Sequence, residues 1–331
     1  MGAASTAVVI GIDVSKATLD ACLLLPDGAA REKAFPNTAA GFAALLAWAD
    51  RHAAGADAHF GMEATGGYED ALATHLHAAG HAVSVVNPTR IKYAGVVRGR
   101  GNKTDRADAR LIAAYTRDHR PAAWSPPSPE VRELQALVRR RDDLRALAAR
   151  EKGRADGPLL TPAARKSVAR VVKFLSKEAD AMQAAADALI AAAPGLATDR
   201  DLLASIPGVG AQTASTVLAE LPSLDRVPSA QSAAAYCGLS PREFKSGSSV
   251  RGRTRLSESG NARLRTALYL PTLTAVRFNP ALKAFFDRLV AAGKPKMQAV
   301  GACMRKLVMI CYGVLRNRAP FDPAWGSRIA T

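Results

Sequence analysis

Four carboxylates in three short segments carry the chemistry that this sequence offers. Asp13 ends the apolar run Val8-Val9-Ile10-Gly11-Ile12-Asp13. Glu63 lies in Phe60-Gly61-Met62-Glu63-Ala64-Thr65-Gly66, and Asp105 and Asp108 lie in Lys103-Thr104-Asp105-Arg106-Ala107-Asp108. The first two fall at the ends of expected strands. The other two stand three residues apart at the start of an expected helix, so both point to one face. Hard divalent cations take oxygen ligands, and two of them over a phosphodiester stabilise the attacking and leaving oxygens. Asp13, Glu63, Asp105 and Asp108 therefore read as a quartet that can hold two divalent metals over a phosphodiester. Each acid taken singly has a plainer reading, as a cap, a turn residue or a solvated helix position. Asp105 and Asp108 also have Arg106 and Arg110 as possible ion-pair partners.

The surroundings favour the chemical reading. The chain has 331 residues and a formal net charge of +16, which makes a polyanion the leading partner. Between Asn87 and Arg120 nine Lys or Arg face three acids. Arg98, Arg100, Lys103 and Arg106 flank the acidic pair and suit phosphate. A second basic stretch, Arg242 to Arg265, holds seven cations against two acids and is rich in Gly and Ser. Lys245, Arg251, Arg253, Arg255 and Arg263 are its expected nucleic-acid contacts. Whether one of its serines is a nucleophile does not follow from spacing, and Ser246, Ser248 and Ser249 are equivalent on physical grounds. All six histidines lie in the first 120 residues, so such a serine would need a metal or an arginine to lower its pKa. The four cysteines are scattered, with no CxxC pair, which suits reduced thiols and no zinc site. No apolar run approaches the roughly 18 residues of a spanning helix, and no signal peptide is visible. The expectation is a cytoplasmic protein, nucleoid-associated when active, that binds no membrane.

These residues need elements to position them. Residues 7–120 alternate strand and helix signals: strands over Ala7–Ile12, Thr18–Leu24, Lys33–Pro36, His59–Glu63 and His81–Val86, with helices after Asn37-Thr38 and from Tyr68 to Ala79. Three hairpin strands followed by strands separated by helices resemble an α/β ribonuclease H-like core. In such a core the first and fourth strands are neighbours, so Asp13 and Glu63 can meet. Residues 121–198 form a proline-rich joint and two long helices. In the second of these, Val168, Val172, Leu175, Ala179, Met182, Ala186 and Leu189 make a heptad seam, which suits an intramolecular hairpin or a dimeric coiled coil equally. Residues 199–331 read as mostly helical. There Ser205-Ile206-Pro207-Gly208-Val209-Gly210 gives a helix-hairpin-helix signature, with Gly208 and Gly210 letting backbone N–H groups approach phosphate.

Whole motifs add what spacing lacks. Gly11-Ile12-Asp13-Val14-Ser15-Lys16, Glu63-Ala64-Thr65-Gly66-Gly67-Tyr68, Asn87-Pro88 and Asn102-Lys103-Thr104-Asp105-Arg106-Ala107-Asp108-Ala109 resemble the DEDD transposases of the IS110 insertion-sequence family. Ser205 to Gly210, Gly238-Leu239-Ser240-Pro241, Ser246-Gly247 and Ser259-Gly260-Asn261-Ala262-Arg263-Leu264-Arg265 resemble that family's second domain. The resemblance implies a resolvase-like catalytic domain over 1–120, coiled-coil linker helices over 121–198, and a C-terminal domain over 199–331 whose catalytic serine is Ser246. It further implies recombination of double-stranded donor and target DNA guided by a structured bridge RNA, through a metal-assisted 5′-phosphoserine link. Homodimers assembling to a tetramer are implied as well. The rival reading is a metal-dependent endonuclease similar to Holliday-junction resolvases, in which water attacks.

Overall fold

The computed structural model describes residues 8–53, 56–98, 105–157, 160–224, 226–242, 245–246, 250–251 and 255–323, with backbone alone at residues 105, 106, 245, 246, 250 and 251. The chain divides into two compact units, Met1–Pro126 and Pro127–Thr331.

The first unit is built on one five-stranded sheet: β1 (Val8–Val14), β2 (Thr18–Leu24), β3 (Ala30–Pro36), β4 (Ala58–Glu63) and β5 (Ala82–Val86), in the order β3-β2-β1-β4-β5. β1 to β3 are antiparallel neighbours, whereas β1, β4 and β5 run parallel. β1 is buried along almost its whole length, as the unbroken apolar run of a central strand requires. One face of the sheet carries Ile10, Ile12, Phe60 and Met62, covered by Phe42, Leu45 and Trp48 of α1 (Ala39–Ala53) and by Leu72 and Leu76 of α2 (Asp70–Ala78). Asn37 and Thr38 divide the work at the start of α1. The Thr38 hydroxyl accepts from the Gly41 N–H, while the Asn37 amide points elsewhere.

The other face is covered by α4 (Asp105–His119), which lies very close to the sheet. A Cβ on Gly11 would collide with the backbone of Ala109 and Ala113, and one on Gly61 with Thr116. Ala109, Ala113 and Ala114 pack on Cys22 and Leu24, while Leu111, Ile112 and Tyr115 pack with Val86 and Ile91. Two bare spots in the sheet thus fix where α4 lies. A further helix, α3 (Pro88–Val97), starts at Pro88 with the Asn87 side chain capping the Thr89 N–H at 2.8 Å. The sequence reading gives no helix there, because its apolar periodicity is weak.

The second unit is helical. α5 (Pro129–Ala155) and α6 (Pro162–Ala192) pack antiparallel, with Arg145 of α5 3.7 Å from Asp180 of α6. The heptad seam is the face that α6 buries, since Ala179 and Ala186 are covered and Val168, Val172 and Leu175 are half-buried. Arg141 is 1% exposed and fully satisfied: it donates to Asp142, Gln183 and Thr216, the condition under which a buried guanidinium is tolerated. Then come α7 (Pro194–Ala204), α8 (Ala211–Glu220), α9 (Ala230–Tyr236), α10 (Ala262–Phe278), α11 (Pro280–Ala291) and α12 (Lys296–Asn317). Pro194 opens α7, since its fixed φ suits a first helical position. α12 is long and apolar enough to cross a membrane by composition, but most of it lies inside the core with Leu203, Leu239 and Leu268. Between α9 and α10 lie four two-residue strands: β6 (Pro241–Arg242), β7 (Lys245–Ser246), β8 (Val250–Arg251) and β9 (Arg255–Leu256).

Candidate active site

Asp13 and Glu63 stand at the carboxyl ends of two adjacent parallel strands. The register pairs Gly11 with Gly61 and Ile12 with Met62, so the next residues along, Asp13 and Glu63, share the face that carries α4. Neighbouring strands lie about 4.8 Å apart, so fifty residues of sequence separation close to one strand spacing. Both acids are half-buried. Asp108 comes from α4. It sits one turn before Ile112, which packs beside Val86, and Val86 is the register partner of Glu63. Helical periodicity therefore carries Asp108 toward the same edge. Asp105, at the first position of α4, has its side chain outside the described residues.

The sheet adds a residue outside the expected quartet. Asp20 of β2 lies directly opposite Asp13 in the antiparallel pair, on the same face, and is half-buried. Asp20, Asp13 and Glu63 thus form a row across three strands. Its alternation with apolar neighbours is a true strand signal, but the exposed side of a strand cannot be told from its covered side until α4 is placed.

Two further groups hold this edge. The Asn37 side-chain amide donates to the Ser15 carbonyl at 2.8 Å and to the Tyr68 carbonyl at 3.2 Å. It ties the loop after Asp13 to the loop after Glu63. Glu69 is 5% exposed. It accepts from the Thr65 hydroxyl at 2.6 Å and the Gly67 N–H at 2.9 Å, folding the Glu63 loop back on itself.

Among the described residues no three His, Cys, Asp or Glu side chains form a group able to hold a metal ion. The donor chemistry still fits a hard cation: oxygen donors only, half-buried, gathered at one sheet edge. The fourth carboxylate of the expected set belongs to Asp105.

In the second unit Ser246 ends β7, opposite Val250 of β8. Ser248 and Ser249 lie outside the described residues. The excursion rises from a stem in which Pro241 pairs with Leu256 and Arg242 with Arg255. Below the stem, Ser257, Glu258 and Asn261 donate their N–H groups to the carbonyls of Ser240, Gly238 and Tyr236 at 2.9, 3.1 and 2.7 Å. The Asn261 side chain caps α10 at Leu264 and donates to Glu220 at 2.8 Å. Glu220 is 2% exposed and takes two bonds from Arg139, at 2.7 and 3.2 Å. Burial pushes the neighbouring Tyr236 phenol above its ordinary value, with the Asn261 bond opposing that rise. One satisfied buried carboxylate therefore joins α5, α8 and the foot of the serine hairpin.

A family model described as the DEDD transposase of IS110 matches residues 10–161, and one for the transposase IS116/IS110/IS902 family matches residues 200–287. The pilin gene-inverting proteins of Moraxella lacunata and Moraxella bovis are each 33% identical over 316 residues, covering 95% of this chain and 97% of theirs. An uncharacterized 43.6 kDa protein of insertion element IS110 from Streptomyces coelicolor is 30% identical over 151 residues, 46% of this chain and 36% of its own. This chain belongs to the IS110 family of transposases. It is a DNA recombinase that cleaves and transfers strands.

The transposase's expected phosphate contacts fall into several environments. Arg98 pairs with Asp118, and Arg110 pairs with Glu32 of β3 at 2.8 Å. Arg263 pairs with Asp143 of α5 at 2.9 Å. Arg255 is exposed on β9. Arg106, Lys245 and Arg251 are described by backbone alone, and Arg100, Lys103 and Arg253 lie outside the described residues. Gly210 is the exposed N-cap of α8, open to an approaching phosphate. Gly208 has another reason to be glycine: at φ +101°, an added Cβ would stand 2.7 Å from Ala275 of α10.

Proposed function

We propose that this transposase breaks and rejoins DNA through a phosphoserine formed by Ser246, with the carboxylates of a ribonuclease H-like unit holding metal and a structured bridge RNA choosing donor and target. The observation that carries the carboxylate part is the register that sets Asp13 beside Glu63 on the α4 face. The strand order β3-β2-β1-β4-β5 supports the ribonuclease H-like reading. Asp13, Glu63, Asp105 and Asp108 would hold divalent magnesium or manganese, which supplies Lewis-acid stabilisation of the phosphoryl oxygens when bound.

The Ser246 Oγ attacks phosphorus. The Oγ–P bond forms as the P–O3′ bond breaks, and the proton lost by the serine ends on the 3′ oxygen. The reverse reaction, with a new 3′ hydroxyl as attacker, reseals the strand without an external energy source. A relative named for inverting a pilin gene supports such conservative exchange. The hairpin that carries Ser246 is anchored through Asn261 and Glu220, which suits a group that must meet a phosphate in a fixed pose. The turn ending at Gly210 serves as a helix-hairpin-helix phosphate contact, and the α5–α6 pair as a linker that brings two copies together, a dimer assembling to a tetramer. Residues 1–120, 121–198 and 199–331 are the catalytic, linking and serine-bearing segments. The protein works in the cytoplasm, at the nucleoid.

A nicked DNA substrate labelled in the strand segment 3′ of the scissile phosphate, the segment whose new 5′ end joins the serine, tests the mechanism. The intact protein with its RNA is expected to retain label on a denaturing gel, Ser246→Ala to retain none, and Ser248→Ala and Ser249→Ala to retain it. Cleavage by Ser246→Ala without an adduct would favour water attack, as in a resolvase-like endonuclease. Recombination that proceeds without any RNA would remove the guide from the account.

A further inference from the structure

The seam of α6 has an opposite side. Lys166, Arg170, Lys173 and Lys177 recur at steps of four, three and four residues, and all four are exposed. At 100° per residue they fall within a narrow line, about 200° from the centre of the Val168–Val172–Leu175–Ala179 seam. None of them forms an ion pair with a described carboxylate. The carboxylate beside the line, Asp180, is 3.7 Å from Arg145. No residue of α6 before Ala179 is buried, so this half of the helix stands out on its partner α5.

We infer that this line of four cations is a phosphate-backbone contact for the double-stranded DNA on which the enzyme acts. Like charges three and four residues apart oppose helix formation by a few tenths of a kcal/mol per pair, so the fold gains nothing from this pattern. A solvated helix face ordinarily mixes signs, as Lys283 and Asp287 do on α11 at 2.8 Å. Eleven residues of helix span about 16 Å, which matches about five phosphates along one DNA strand. Long flexible side chains without a base-reading motif contact the backbone and carry no sequence information. The contact adds affinity and register to whatever selects the site.

The full-length protein binding a labelled duplex by fluorescence anisotropy, over a series of KCl concentrations, tests this. Neutralising four backbone contacts lowers the slope of log affinity against log salt by up to about 3.6. The variant with Lys166, Arg170, Lys173 and Lys177 all changed to Gln is expected to show a slope shallower by about 3, and Arg170→Gln alone by somewhat under 1. Its thermal midpoint stays the same or rises, because like-charge repulsion is relieved. A control with Lys283, Arg288, Lys294 and Lys296 changed to Gln removes the same charge from exposed positions elsewhere, and is expected to move the slope far less. An unchanged slope overturns the inference, as does an equal loss in the control. So does a loss seen only with an RNA hairpin, or a change of sedimentation with the slope intact. If the fourfold variant does not fold, Arg170→Gln decides alone. The reading does not depend on Ser246: at low salt the fourfold variant still forms the covalent adduct if the proposed chemistry holds.

Discussion

Asn37 illustrates how much a single amide can fix. It donates to the Ser15 and Tyr68 carbonyls, and an aspartate in its place would turn an acceptor toward two acceptors. Asn37→Asp is expected to lose about 1–3 kcal/mol of unfolding free energy, measured by urea titration. Strand cleavage in single turnover should slow by at least about tenfold, with DNA affinity intact, because a small misplacement of catalytic groups is costly. Asp13→Asn is expected to abolish cleavage. Asp20→Asn should leave cleavage present but raise the manganese concentration needed for half-maximal rate, since it removes negative charge from the row beside Asp13. His59 contributes a pH dependence. It is half-buried, bonded to Ser84 at 2.9 Å, and burial lowers its pKa below 6.5. Its neutral form belongs to the folded state. The contribution is therefore complete above about pH 6.5 and is lost as pH falls from there through the lower folded value. Urea midpoints between pH 7.5 and 5 should fall more steeply for the natural protein than for His59→Gln.

At the scale of elements, α4 matters most, because it sets where Asp105 and Asp108 stand over the sheet. β1, β2, β4 and β5 were legible in the sequence from their apolar runs, and α4 from its helical spacing; β3 is mostly exposed, and only its last four residues were expected. That α4 lies against Gly11 and Gly61 was not, because a glycine in a strand announces close approach without naming the partner. Gly11→Ala pushes a methyl group into the Ala109–Ala113 backbone. It should destabilise the unit by on the order of 3 kcal/mol and uncouple Asp108 from Asp13, seen as lost cleavage after correction for folded fraction. The serine hairpin has its own anchor. Glu220→Gln keeps shape but removes the charge that Arg139 and the Asn261 amide meet. Adduct formation should fall several-fold while duplex affinity stays unchanged. A matching fall in affinity would make Glu220 a general stability residue only.

Across the whole molecule, the four acids lie in residues 1–126 and the hairpin of Ser246 lies in residues 127–331. A site shared between copies has a direct test. Asp13→Ala and Ser246→Ala are each expected to be inactive, and their mixture is expected to yield joined product. A mixture as silent as its parts would confine the site to one chain. All four thiols are buried. Cys237, Cys303 and Cys311 are buried and pushed up to about 12, 11 and 12, so a thiol reagent should leave the native enzyme unlabelled and active.

The sequence by itself determined that acids at strand and helix ends sit within a basic chain, that the first part is α/β and the remainder helical, and which family's motifs it carries. Those are local signals, written in residue type and spacing. Only the tertiary structure decided that Asp20 faces Asp13, that Asn37 bridges two loops instead of capping, and that Glu220 holds the foot of the serine hairpin. Asn37 lies 22 and 31 residues from its two acceptors, and Glu220 lies 81 and 41 residues from Arg139 and Asn261, while Asp20 is a hairpin neighbour of Asp13 whose covered side only α4 decides. Such contacts depend on strand register and helix packing, which no single segment encodes.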